Sequence, residues 1–140
     1  MSEFSKTEPL QIWVGSFNLN GRPPTESLTP WLFPEGSTLD PDIMAIGFQE
    51  IVELTAQQIM STDPAKRYAH EKFGTDCRKL WEVQVKKTLK EQRPKGDYIL
   101  LRSGQLVGTA LMLFVKSSKI PYVKRVDGAI KKVPSSISRG

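Results

Sequence analysis

Residues 10–18, running Leu10-Gln11-Ile12-Trp13-Val14-Gly15-Ser16-Phe17-Asn18, are apolar at alternating positions on both sides and close on polar residues. That pattern predicts a strand buried inside a layered α/β structure, ending at Asn18 to Gly21. Arg22-Pro23-Pro24-Thr25 is turn-forming, and residues 28–33 offer a short apolar anchor in which Trp31 and Phe33 pack down before Pro34-Glu35-Gly36. A second buried strand is expected over residues 43–48, Ile43-Met44-Ala45-Ile46-Gly47-Phe48, delivering Gln49 and Glu50 at its end.

Helical patterning takes over further on. A brief helix is expected over residues 55–60, and Asp63-Pro64 has the form of an N-cap followed by proline at the first helical position. From there to about Leu89 the chain reads as helix, interrupted near Gly74-Thr75. Cys77, Trp81, Val85 and Leu89 recur every four residues and form one apolar stripe, with Leu80 beside it, so Cys77 reads as a core residue rather than a reactive thiol. Two apolar segments at 98–101 and 106–115, separated by Arg102-Ser103-Gly104-Gln105, predict a hairpin, and residues 122–126 a further strand. Residues 133–140 lack periodicity and are expected to be disordered.

With 140 residues, 39% hydrophobic and 25% charged, the composition is that of one globular domain. No run approaches the ~20 apolar residues of a membrane span, and the first residues lack the layout of a secretory signal, so a soluble, cytosolic chain is expected. The single cysteine excludes an internal disulfide and fits a reducing compartment. Charge changes the picture more. Residues 1–70 carry four Lys and Arg against nine Asp and Glu, whereas residues 71–140 carry sixteen against six. The basic half suits phosphate-rich ligands, an anionic membrane surface or nucleic acid, although for a charge excess alone a solvated helix face is the default reading.

Two buried strands that end in Asn18 and Glu50 suggest a small polar cluster at one sheet edge, where ligands gather in layered α/β proteins. Mg²⁺ takes oxygen ligands, commonly from one or two carboxylates, and keeps water in its other positions. Glu50 is therefore enough in principle, with Asn18 orienting a metal-bound or phosphate oxygen. From spacing alone, strand-end polar residues without a ligand are the default reading.

Asn18-Leu19-Asn20-Gly21, followed some thirty residues later by Asp42 and the Gln49-Glu50 pair, resembles the first two active-site motifs of the superfamily of exonucleases, endonucleases and phosphatases. Pro30-Trp31-Leu32, Ile51-Val52-Glu53-Leu54 and Gln105-Leu106-Val107-Gly108 resemble its inositol-polyphosphate 5-phosphatase branch, and Asp63-Pro64-Ala65-Lys66-Arg67 looks most like fungal synaptojanin-type members. The resemblance spans residues 10–132, a partial catalytic domain between a flexible 1–9 and an unrelated tail at 133–140.

The resemblance implies an α/β fold, the incomplete N-terminal half of a four-layer α-β-β-α sandwich. It implies Mg²⁺-dependent removal of the 5-phosphate from phosphoinositides or soluble inositol phosphates, with peripheral contact at anionic membranes and no nucleic-acid partner. Carried over, Glu50 is the metal ligand, Asn18 lies beside metal and scissile phosphate, and Asn20 supports it. Gln49, Lys124 and Arg125 are candidate substrate contacts. The family's later motifs, which bring the catalytic aspartate and histidine, have no counterpart here, and His70 lies in the helix outside any motif. The chain alone is therefore expected to be inactive, its strand faces exposed where a second sheet is missing. Two alternatives stay open: a non-catalytic fragment that binds phosphoinositide or protein through its basic half, and an endonuclease-like relative.

Overall fold

The computed structural model describes residues 7–52, 63–93, 97–106 and 108–131, apart from the side chains at 67, 68, 70 and 71. The helix expected over 55–60, the tail at 133–140 and the His70 side chain lie outside the described residues.

Four strands form one sheet in the order β1-β2-β4-β3: β1 is Ile12–Asn18, β2 Ile43–Gln49, β3 Tyr98–Leu106 and β4 Thr109–Lys116. β1 and β2 run parallel, with Ile12 opposite Ile43 and Asn18 opposite Gln49, so both reach the same edge together. β4 runs antiparallel to β2 and β3 antiparallel to β4.

One face is covered. Met44, Ile46 and Phe48 of β2 and Met112 and Phe114 of β4 are fully buried there, beneath helix α2, Pro64–Gln92. Register puts Trp13, Gly15 and Phe17 on that face as well. Trp13 folds its indole along its own strand, so that a β-carbon at Gly15 would run into the ring, and glycine leaves it room. Ring packing then runs edge-on from Trp13 to Trp31 at 5.3 Å and, tilted, from Trp31 to Phe48 at 5.7 Å and Phe48 to Trp81 at 5.1 Å, within the range in which such pairs attract. Trp31 stands on the single-turn helix α1, Thr29–Leu32, which with Phe33 forms the expected anchor.

Helix α2 begins as the sequence suggests. The Asp63 side chain accepts from the Ala65 amide and Pro64 takes the first turn. It is not interrupted at Gly74: the helix is continuous to Gln92, because one internal glycine costs only ~1 kcal/mol against alanine and packing overrides it. Trp81, Val85 and Leu89 are buried against the sheet and Cys77 is half-buried. Burial, and then the nearby Asp76 carboxylate, push the Cys77 thiol up, away from reactivity at neutral pH. Leu80 does not join the stripe. One position before Trp81, it is rotated by roughly 100° to the solvent side and is 55% exposed.

The hairpin is present, but β3 does not turn at 102–105: it runs on to Leu106, and β4 begins at Thr109. Arg102 to Gln105 continue β3 through a bulge between Leu100 and Arg102, and the Ser103 hydroxyl donates to Glu82 of α2. No strand forms at 122–126: β4 runs into a 3-10 turn, Ser117–Tyr122, and the following residues are irregular.

The other sheet face corrects the expectation that β1 is buried on both sides. Val14 is 74% exposed and Ile12 and Leu111 are also exposed, an apolar surface that among the described residues is crossed only by 126–131.

Candidate functional site

The parallel register determines what gathers at the shared strand edge. Beyond Asn18 and Gln49 the ladder takes one more step, the Leu19 amide donating to the Gln49 carbonyl at 2.9 Å. β1 then turns sharply. The Asn18 carboxamide oxygen accepts from the Asn20 amide at 2.9 Å, and the Arg22 amide returns to the Leu19 carbonyl at 3.0 Å. Asn20 and Gly21, at the centre of this turn, have φ of 51° and 69°, the two positive values for which Asn-Gly is the favoured pair. Asn18 is therefore half committed: its oxygen builds the turn, and its amide hydrogens remain to donate to an anion.

Glu50, directly after β2, also has φ of 51°. Asparagine enters this left-handed region readily, whereas for glutamate it is uncommon and costs ~1–2 kcal/mol. Strain of this kind persists only where surrounding bonds enforce it. The Glu50 side chain is half-buried and has no hydrogen bond or ion pair among the described residues. Its carboxylate is available to a ligand.

Gln49 is turned to another task. Its side-chain amide donates to the Ser16 hydroxyl at 2.8 Å, tying β2 to β1 on the open face. Lys124 and Arg125 follow the 3-10 turn that leaves the opposite sheet edge. Both are exposed, Arg125 paired with Asp127 at 2.7 Å, and among the described residues no bond joins either to Asn18, Asn20 or Glu50.

Beside Asn18 and Asn20 opens a cavity of about 570 Å³, with Arg22, Thr25 and Ser27 on its polar side and Phe17, Trp31 and Trp81 on its apolar side. Sequence patterning does not single out Arg22; its place directly after an Asn-Gly turn that ends a site strand is the signal that points to it. Gly21 and Gly108 stand in the motifs without a side-chain role and contribute through backbone atoms.

As a metal centre the edge is sparse. Among the described residues no group of three or more His, Cys, Asp or Glu is placed to hold an ion. One carboxylate without a partner among the described residues, beside the strand that ends in Asn18, fits a hard cation that retains most of its water, as Mg²⁺ does, and does not fit zinc. The opposite edge is unsuited despite its acids. Lys116 and Arg93 both pair with Asp40, and the Lys116 ammonium holds its carboxyl below the usual carboxylate range; Asp42 accepts from the Gln11 amide. Tyr98 closes this edge by donating to the Pro41 carbonyl, and burial, then the charge of Asp40, push its phenol up to about 12.

The chain is similar to known proteins. The family model of Endonuclease/Exonuclease/phosphatase family 2 matches residues 15–137. An inositol-1,4,5-trisphosphate 5-phosphatase of Schizosaccharomyces pombe is 48% identical over 132 residues, 94% of this chain and 11% of that protein. A polyphosphatidylinositol phosphatase of Saccharomyces cerevisiae is 38% identical over 93% of this chain and 11% of its own length. The crystal structure of the inositol polyphosphate 5-phosphatase domain of a synaptojanin, in complex with inositol (1,4)-bisphosphate and calcium, superposes with a TM-score of 0.67 at 46% identity. It is covered over 32% of its length and this chain over 89%. The chain thus spans about a tenth of these curated relatives and a third of the solved domain, and it belongs to the endonuclease/exonuclease/phosphatase family.

Proposed function

We propose that this chain supplies the first two site elements of a Mg²⁺-dependent phosphoinositide and inositol-polyphosphate 5-phosphatase of the synaptojanin type. The observation that carries this is the parallel register that ends one strand at Asn18 and its neighbour just before Glu50, whose carboxylate has no partner among the described residues. Bound there, Mg²⁺ would neutralise charge on the phosphoryl group. Glu50 holds the ion, and the Asn18 amide donates to a phosphate oxygen. Asn20 shapes the turn that places them, and Gln49 braces β2 through Ser16. Lys124 and Arg125 are second-phosphate contacts only if the chain beyond the 3-10 turn is drawn toward the site edge. The matched relatives are phosphatases, which favours this reading over an endonuclease.

The exposed apolar face of Ile12, Val14 and Leu111 supports the finer fold reading, in which this sheet is one of two in a four-layer sandwich and the second sheet covers that face. The outer face of α2, with Lys72, Lys79, Lys86, Lys87 and Lys90 exposed, supports cytoplasmic placement with peripheral contact at anionic membranes. Salt weakens such contact, as exposed charges are screened over about 8 Å at physiological ionic strength.

The test is phosphate release from inositol trisphosphate with Mg²⁺. Residues 10–131 are exchanged for the matching segment of a complete 5-phosphatase domain, beside the isolated chain. The chimaera is expected to turn over and its Glu50→Gln form to lose at least ~10²-fold, while the isolated chain stays silent. A chimaera that keeps its full activity after Glu50→Gln would sink the assignment.

A further inference from the structure

The peptide unit that joins Glu50 to Ile51 is bonded at both of its polar atoms. Its carbonyl accepts from the Gly21 amide at 2.7 Å, across the β1 side, and its N–H donates to the Gly108 carbonyl at 2.9 Å, across the β4 side. The preceding peptide is held too, its Gln49 carbonyl accepting from the Leu19 amide at 2.9 Å. Two fixed peptide planes determine φ and ψ of the residue between them, and with those the direction of its Cα–Cβ bond. Ile51, 1% exposed, anchors the far side in the core.

We propose that Gly21 and Gly108 are positioning residues. They clamp the Glu50 peptide between two turns, enforce its left-handed conformation and so aim the carboxylate. The inference rests on the reading of Glu50 as the cation ligand. It makes the Asn18-to-Gly21 turn a lever as well as a ligand: the Asn18 oxygen sets the turn, the turn sets the Gly21 N–H, and that N–H holds Glu50. Gly21 is suited to this because its φ of 69° is one that side chains other than asparagine resist. Gly108 is suited because it is buried in the tight connection between β3 and β4.

The experiment uses the full chain and two readouts. Amide exchange in the unsubstituted protein comes first: Ile51 and Gly21 are expected to be protected, and an Ile51 amide that exchanges like an unstructured one overturns the clamp without any variant. The second compares Gly21→Ala with Gly21→Asn, which tolerates the left-handed region, in a Mn²⁺ titration followed by paramagnetic broadening. Gly21→Ala is expected to weaken Mn²⁺ binding at least about tenfold, the low end for contacts that support a metal ligand. It should also release Ile51 to exchange while Val85 and Met112 stay protected; Gly21→Asn should keep both properties. Mn²⁺ binding and Ile51 protection unchanged in Gly21→Ala would overturn the proposal. If instead Glu50→Gln leaves Mn²⁺ binding intact, the metal reading fails, and the exchange data still decide the clamp.

Discussion

Replacing Glu50 by glycine should leave the fold at least as stable while removing its chemistry. An L-residue in the left-handed region carries ~1–2 kcal/mol of strain, which glycine does not. Glycine's looser unfolded chain returns ~0.5–1 kcal/mol of that gain. Alanine is the proper reference, since it removes the carboxylate but keeps the strain at φ of 51°. Glu50→Gly is therefore expected to exceed Glu50→Ala by up to about 1.5 kcal/mol, or up to about 5 °C in Tm for a chain of this size. Urea unfolding followed by tryptophan fluorescence reads the difference, because Trp13, Trp31 and Trp81 all pack against the one core. Both variants should lose divalent-cation binding alike. A glycine variant less stable than the alanine one would refute the reasoning, for it would mean that Glu50 is not held against its preference. A strained functional residue whose replacement stabilises is the expected mark of activity kept at the expense of stability.

Other outcomes follow from the same structure. Leu89→Ala, at a site 3% exposed, should cost about 2–5 kcal/mol in chemical unfolding, and Leu80→Ala less than about 0.5 kcal/mol. Asp40 has a folded pKa below its ordinary 3.8, so its ion pairs stabilise above that value and are lost as pH falls through the depressed one. Asp40→Asn should therefore reduce stability at neutral pH, by no more than about 1 kcal/mol because the pair is half exposed, and match the parent protein once the pH has fallen below the depressed pKa. Val14→Asp should be nearly neutral in the isolated chain and cost about 3 kcal/mol or more in the complete-domain chimaera if a second sheet covers it. Equal costs in the two settings would count against the sandwich.

Most of what local pattern governs is legible in the sequence. β1 and β2 follow from their apolar runs, α2 from the Asp63-Pro64 start and a four-residue stripe, and the site strands from Asn18 and the Gln49-Glu50 pair. What the pattern misplaces depends on partners remote in the chain. Ser103-Gly104 has turn-forming residue types, but Ser103 finds Glu82 on α2 and stays in the strand, which runs on to Leu106. Residues 122–126 have strand-forming types, yet among the described residues no neighbouring strand offers them a ladder. The exposure of Val14 depends on what covers the sheet, which its own segment does not encode. Within the site, side-chain motifs name Asn18 and Glu50, while the bonds that aim Glu50 use backbone atoms of Gly21 and Gly108 and leave only a glycine as their trace.

A Mn²⁺ titration of the isolated chain, read by broadening of backbone amide signals, tests directly whether this edge is the cation site. Among the described residues Glu50, which has no partner there, competes with the Asp40–Asp42 pair, already answered by Lys116 and Arg93. Substoichiometric Mn²⁺ is expected to broaden residues 18–21, 49–51 and 108, to spare 40–43 and 116, and to lose this selectivity in Glu50→Gln. Broadening centred on residues 40–43, or an unchanged pattern in Glu50→Gln, would contradict the account.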